Sequence, residues 1–177
     1  MKNSNKIYVF DLDDTLVVTE AKIRVYDSED LSLLHALTPQ EFNYFNKSHH
    51  HILDFDQFEC LKTLSEGKLI PQNVKILKKA QELGYPVAIV TARGNQPAVI
   101  EFLKKKKLNI DPSLVYATSD PSFNYSGTIP NRKLSAFKDL VKKGYDDFIY
   151  YDDSVENLEI IKKYLTKQGL AVSTFHV

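Results

Sequence analysis

Apolar positions along the chain fall into short unbroken runs, separated by longer stretches with a helical period. "KIYVF" (6–10), "PVAIVT" (86–91), "LVYAT" (114–118), "DFIYY" (147–151) and "AVSTF" (171–175) are rich in Val, Ile, Tyr and Phe and nearly unbroken by charge. Strands buried on both faces read this way, because neither face has room for a polar alternation. Between these runs the period lengthens to that of a helix. "PQNVKILKKAQELG" opens on Pro71 and closes on Gly84, with Val74, Leu77 and Ala80 on one face. "NQPAVIEFLKKKKL" offers Asn95 as N-cap and Pro97 in its first turn. "NRKLSAFKDLVKKG" ends at Gly144, and "SVENLEIIKKYLTKQG" runs from a Ser cap to Gly169. Strands alternating with helices predict an α/β fold, a Rossmann-like, doubly wound parallel sheet.

Residues 20–66 interrupt that alternation and are too long for a simple loop. They contain "TPQEFNYFN" and "DFDQFECLKTLSEG", both predicted helical, around "KSHHH". They are expected to form a small helical insertion over the end of the first strand, within a single domain spanning 1–177. Phe42, Tyr44, Phe45, Phe55 and Phe58 are expected to be the insertion's own core, with Tyr44, like Tyr125, also able to stack on a nucleobase. Cys60, in an apolar helical pattern, is expected to be buried and inert. The tract His49–His51 reads as a solvated loop, and Lys104–Lys107 as a solvated helix end that suits the helix dipole.

Composition narrows the class. The 23 basic and 23 acidic residues balance, so no overall field marks a general nucleic-acid or membrane binder, although a local basic groove stays open. The single cysteine rules out an internal disulfide and fits a reducing compartment. "MKNSNKIYVF" is too polar for a signal peptide, and no apolar run approaches the roughly 20 residues of a membrane span. The expectation is a soluble, cytoplasmic protein without a membrane partner, its oligomeric state open.

The chemistry concentrates where strands end. Ligands of open parallel sheets bind at the carboxyl ends of the strands. Following the predicted strands stand Asp11, Asp13, Asp14 and Thr15, then Thr91, Ala92 and Arg93, then Ser119 and Asp120, then Asp152 and Asp153. Lys133 lies near a helix start between the third and fourth strands, where Arg132 and Lys138 compete with it. Three carboxylates in "DLDDT" repel one another, and a hard cation such as Mg²⁺, shared by Asp11 and Asp152, would offset that repulsion and attract a phosphate. A carboxylate can attack phosphorus, and a second, two residues on, can protonate the leaving oxygen and then activate water. Hydroxyl and ammonium groups can neutralise the phosphoryl oxygens. Asp11, Asp13, Thr91 and Lys133 supply these parts. Arg93 reads equally as a phosphate contact or a surface ion pair, and Asp152 and Asp153 also read as caps of the following helix.

On these residues the chain resembles the haloacid dehalogenase-like superfamily. Its D-x-D-x-[TV] motif corresponds to Asp11-Leu12-Asp13-Asp14-Thr15, its Ser or Thr to Thr91 in "IVTAR", its Lys to Lys133 in "IPNRKLSAF", and its acidic pair to Asp152 and Asp153 in "IYYDDSVENL". Asp14 stands where many members have Gly. The resemblance implies that Asp11 is nucleophile and metal ligand. It implies that Asp13 is general acid/base and binds metal through its carbonyl. Thr91 and Lys133 would hold the phosphoryl group, Asp152 would bind Mg²⁺, and Asp153 would hold a metal-bound water or orient Lys133. The second Asp marks the phosphatases of the superfamily and excludes its dehalogenases. "TAR", the Lys three residues after Pro130 and the "DD" pair look like the 3′-phosphatase half of polynucleotide kinase/phosphatases, while no G-x-x-x-x-G-K-[ST] kinase loop is present. The implied activity is Mg²⁺-dependent hydrolysis of a phosphomonoester through an aspartyl-phosphate. The implied partner is a phosphorylated small molecule or a nucleic-acid 3′ end. A phosphotransferase or phosphomutase, whose site the insertion would seal, and a catalytically silent binding protein stay open beside it.

Overall fold

The computed structural model describes residues 5–177. Ten strands follow in chain order: β1 (Lys6–Phe10), β2 (Val17–Val18), β3 (Ile23–Asp27), β4 (Leu33–Leu37), β5 (His51–Asp54), β6 (Lys68–Leu69), β7 (Val87–Thr91), β8 (Val115–Ala117), β9 (Asp147–Asp152) and β10 (Ala171–His176). The α-helices are α1 (Pro39–Asn43), α2 (Asp56–Glu59), α3 (Leu61–Glu66), α4 (Pro71–Glu82), α5 (Gln96–Lys105), α6 (Ile129–Lys142) and α7 (Val155–Lys167). The five strands predicted from apolar runs form one sheet in the order β10-β9-β1-β7-β8, with all its pairs parallel. Each strand divides its side chains between two cores. Phe10, Val87, Ile89 and Tyr151 pack with Leu77, Val99 and Phe102 of α4 and α5. Ile7, Val9, Ala88, Val90, Phe148 and Tyr150 pack with Phe137, Leu140, Ile161 and Leu165 of α6 and α7. Both faces are therefore covered, which is why the strands carry no polar alternation.

The caps read from the sequence are in place. Asn95 accepts from the backbone N–H of Ala98 at the start of α5, and Ser154 from that of Asn157 at the start of α7. Gly84, Gly144 and Gly169 follow their helices with φ of 79°, 97° and 73°, the left-handed region that a Cβ disfavours.

The insertion differs from its expected all-helical character. "TPQEFNYFN" and "DFDQFECLKTLSEG" do contain α1, α2 and α3, but β3, β4 and β5 form a three-stranded antiparallel sheet in the order β4-β3-β5. Ile23 and Val25 of β3 are buried while Arg24 and Tyr26 are only partly so, the period-two pattern of a sheet with one covered face. The two crossings of the chain into and out of the insertion pair as β2 and β6, Val17 opposite Leu69 and Val18 opposite Lys68. Gly67 allows this neck to close, since a Cβ there would lie 2.6 Å from Val17 Cγ2. Phe42 packs edge-on against Phe55 and is stacked with Phe45, but Phe55 is 41% exposed and Phe42 and Phe45 are only half-buried, so these rings cover the insertion's surface more than they fill a core. Tyr44, in contrast, is 92% exposed, and Cys60 is exposed between α2 and α3 rather than buried. Among the described residues no helix is long and apolar enough to cross a membrane.

Phe137 lies one turn after Lys133 on α6, fully buried against Phe148 and Tyr150 at centroid distances of 5.8 and 4.8 Å. Phe137→Ala is expected to lower unfolding free energy by about 3–5 kcal/mol, the cost of a large aromatic cavity. Urea denaturation checks this; a loss of less than about 1 kcal/mol would contradict a packed α6 interface.

Candidate active site

The site grows from the carboxyl ends of β1, β7 and β9. At the end of β1 the backbone N–H of Asp11 still donates to the Tyr151 carbonyl at 2.9 Å, so the side chain is set by the sheet itself. The chain then turns sharply. Leu16 and Val17 both donate to the Leu12 carbonyl, Asp14 donates to Val17, and Asp14 adopts φ 57°. An Asp tolerates that left-handed conformation better than most residues, which suits the place where many relatives of the motif carry Gly. Asn73 of α4 donates to the Thr15 carbonyl at 2.7 Å and ties the turn to the next helix.

Lys133 is the centre of the cluster. Its ammonium lies 2.6 Å from Asp11 Oδ1 and 2.7 Å from Asp152 Oδ2, with all three residues buried. Lys133 occupies the same helical stripe as Ala136, Phe137 and Leu140, so the register of α6 drives it inward. Its sequence competitors face elsewhere. Arg132 donates to the Gly127 carbonyl, and Lys138 lies over the Tyr164 ring. Burial works against the Lys133 charge, but Asp11 and Asp152 outweigh it and hold the ammonium above its ordinary range. Burial pushes the Asp11 carboxyl up against the pull of Lys133, and Asp152, Asp153 and Asp13 add to the rise. Partial desolvation, with Asp152 beside it, pushes Asp153 up to about 6.

Asp152 is held on every side. It accepts from the Ser154 backbone N–H at 2.8 Å, from Asn157 Nδ2 at 3.1 and 3.2 Å, and from the Tyr150 phenol. Tyr150 is fully buried, and burial together with Asp152 raises its phenol well above its ordinary value, so it donates at neutral pH. Tyr150 was not expected at the site, whereas Asn157 reads from the sequence either as a helix-surface residue or as one that fixes the Asp152 loop, and the structure shows the latter. Tyr150 stands two residues before Asp152 on β9, hence on the same face, and that period was the available signal.

Asp13 is held differently. Arg93, 3% exposed, bonds it through two nitrogens, Nε to Oδ2 at 2.9 Å and Nη2 to Oδ1 at 2.6 Å. Arg93 thus makes a buried ion pair with Asp13 instead of a surface one. Thr91 is buried at the end of β7, and its hydroxyl accepts weakly, at 3.3 Å, from the Arg93 backbone N–H. Ser119 and Asp120 are committed to the loops around β8. Ser119 donates to the Ala92 carbonyl, and Asp120 accepts from the Gln96 and Ser122 backbone N–H groups. Tyr125 is half-buried, with its ring stacked on Phe123 at 5.3 Å and its hydroxyl donating to Asp139.

Oxygen atoms of Asp11, Asp152 and Asp153 all lie within 4.8 Å of one another. Full ionisation of these three carboxyl groups beside one ammonium would leave an excess of two negative charges, the charge of one divalent cation. An all-oxygen donor set of this kind suits a hard metal ion, so the residues fit such an ion. The Thr15 hydroxyl, buried beside the cluster, has no hydrogen-bond partner.

Comparison with known proteins agrees with this geometry in architecture. A chain of the Pnkp1/Rnl/Hen1 RNA repair complex superposes over 99% of the present chain with a TM-score of 0.60 at 18% identity. A HAD-superfamily hydrolase from Ehrlichia chaffeensis does so over 99% with a TM-score of 0.52 at 15% identity. The chain has the haloacid dehalogenase-like fold. A haloacid dehalogenase-like family hydrolase from Streptococcus pneumoniae matches over 97% with a TM-score of 0.51 at 15% identity. The present chain spans 44% of the RNA repair chain, and 88% and 84% of the two bacterial hydrolases. No family model matches the sequence, and no curated protein matches it either.

The raised Asp153 carboxyl has a measurable sign. A carboxyl with a folded pKa of about 6, above its ordinary value near 3.9, favours the fold when protonated. Its contribution is present at low pH and is lost as pH rises through about 6. The metal-free Asp153→Asn protein is therefore expected to melt progressively higher than wild type as pH rises from 4 through about 6. A melting difference that stays flat over this interval contradicts the strain assigned to Asp153.

Proposed function

We propose that the protein is a metal-dependent phosphomonoester hydrolase that works through a phosphorylated Asp11. The observation that carries this reading is Lys133 held between Asp11 and Asp152, with Asp13 two residues on and Thr91 at the next strand end. Mg²⁺, held by Asp11, Asp152, Asp153 and the Asp13 carbonyl, would supply positive charge against the phosphoryl oxygens.

The chain's own groups do the rest. Lys133 keeps one Asp11 oxygen in place, and the other oxygen attacks phosphorus. The bond from phosphorus to the ester oxygen breaks as the Asp11–phosphorus bond forms. Asp13, which accepts from Arg93 through both oxygens before substrate binds, takes up a proton from solvent on the oxygen that turns to the substrate and gives it to the departing oxygen, which otherwise leaves poorly as an alkoxide. Lys133 and the Thr91 hydroxyl hold the transferring group, and Arg93 lies beside them on Asp13. Water then attacks phosphorus, its proton passes to Asp13, and the Asp11–phosphorus bond breaks. Tyr150, Asn157 and the Ser154 N–H fix Asp152 throughout.

The substrate we propose is a nucleotide or a nucleic-acid 3′ end. Two features support this: similarity to a chain from an RNA repair complex, and an exposed Tyr44 on the insertion, able to stack on a base. Purified protein should hydrolyse p-nitrophenyl phosphate with Mg²⁺ and lose this activity in EDTA. Asp11→Asn should lower the rate by at least about 10³-fold with its fold retained, because Lys133 keeps Asp152 as partner. Wild-type turnover by Asp11→Asn, or full activity in EDTA, contradicts the reading.

A further inference from the structure

The insertion touches the catalytic machinery through α2. Phe58 of α2 gives its backbone carbonyl to Arg93 Nη1, and its ring centroid lies 5.6 Å from the same guanidinium. The other side of that guanidinium holds both oxygens of Asp13, at 2.9 and 2.6 Å. Arg93 is 3% exposed, so water reaches these interactions only from the half-buried Asp13 and Phe58 sides.

The neighbouring contacts seat α2 on the loop that carries Arg93. Asn95 Nδ2 donates to the Glu59 carbonyl at 3.1 Å, and Gln57 accepts from the Lys22 backbone N–H at 2.8 Å. The approach is close enough that a Cβ on Gly94 would lie 2.6 Å from Glu59 Oε1. A planar guanidinium with donors fixed in one frame transmits orientation from one partner to the other. A lysine ammonium on a flexible stem does not.

We propose that the insertion positions Asp13 through Arg93, with Phe58 as the anchor on the insertion side. This rests on the reading of Asp13 as the group that protonates the leaving oxygen. Arg93 and Phe58 are then positioning residues. Arg93 keeps hold of one Asp13 oxygen while the other, once protonated, turns to the leaving oxygen, so the seating of the insertion sets the direction from which the proton is delivered. Three of the five guanidinium N–H groups serve Asp13 and Phe58, which sets Arg93 apart from a simple phosphate ligand.

The test compares an alkyl phosphomonoester, which needs a proton on its leaving oxygen, with p-nitrophenyl phosphate, which does not. Wild type, Arg93→Lys and Phe58→Ala are assayed with saturating Mg²⁺, and their folds are followed by thermal melting. Arg93→Lys is expected to lose about 10- to 100-fold more kcat on the alkyl ester than on p-nitrophenyl phosphate, with KM changed less than about threefold. Phe58→Ala should show the same selectivity at smaller amplitude. Equal losses on both esters with a raised KM would place Arg93 on the phosphate and overturn the proposal, as would a Phe58→Ala enzyme indistinguishable from wild type. If Arg93→Lys does not fold, Phe58→Ala, whose half-buried side chain belongs to the insertion, decides alone. A wild-type protein that hydrolyses neither ester overturns the phosphatase reading and this inference with it. An active wild type with unselective variants overturns the coupling alone.

Discussion

A buried ammonium between two buried carboxylates is the constraint around which this molecule is arranged. Lys133 can stay charged in the interior because Asp11 and Asp152 both accept from it, and each carboxylate can stay there because Lys133 is present. Breaking such a buried pair by removing one partner costs about 3–5 kcal/mol, whereas an exposed pair such as Lys79–Glu82 contributes under about 1 kcal/mol. The three residues come from β1, α6 and β9, so the arrangement exists only once the sheet and the helix covering it are in register. Asp153 adds a further carboxylate within 4.8 Å of the other two, and a cation there would balance its charge in the proposed reaction.

The rest of the fold serves that point. The parallel sheet aligns the ends of β1, β7 and β9, and α6 carries Lys133 inward on its apolar stripe. Phe137, one turn away, fixes the height of that helix over the sheet. Asp152 is oriented by three further donors, so it can serve Lys133 on one side and a cation on the other without turning. Asp13 lies outside this rigid set. It is held by Arg93, and Arg93 by the insertion, so in the proposed mechanism the carboxylate that transfers the proton depends on the insertion.

Much of this was legible in the sequence, for physical reasons that differ by element. Strands buried on both faces have almost no freedom in composition, so β1, β7, β8, β9 and β10 stand out as apolar runs, and their ends locate Asp11, Thr91 and Asp152. Lys133 competed with Arg132 and Lys138 in the sequence, and the stripe it shares with Phe137 and Leu140 was the signal that separates them. The insertion was harder. Its strands are short, β5 pairs with β3 across the intervening β4 and α1, and Leu33 and Leu34 are exposed, so local hydrophobicity misreports which face is covered. Cys60 looked buried because Phe58 and Leu61 flank it, but it stands at the joint between α2 and α3, where the chain is exposed. The Arg93–Asp13 pair spans 80 positions of sequence and depends on where α2 comes to rest, which periodicity does not report.

The central claim is that Asp11 carries the phosphoryl group between substrate and water, and trapping that adduct tests it directly. In Asp13→Asn, p-nitrophenolate still leaves unaided, but the activation of water is impaired, so the intermediate should accumulate. Acid quench during turnover of p-nitrophenyl phosphate, followed by peptide mass spectrometry, should find one added phosphoryl group on the peptide containing Asp11. A quenched Asp13→Asn enzyme that turns over substrate yet carries no phosphoryl group on Asp11 would contradict the account.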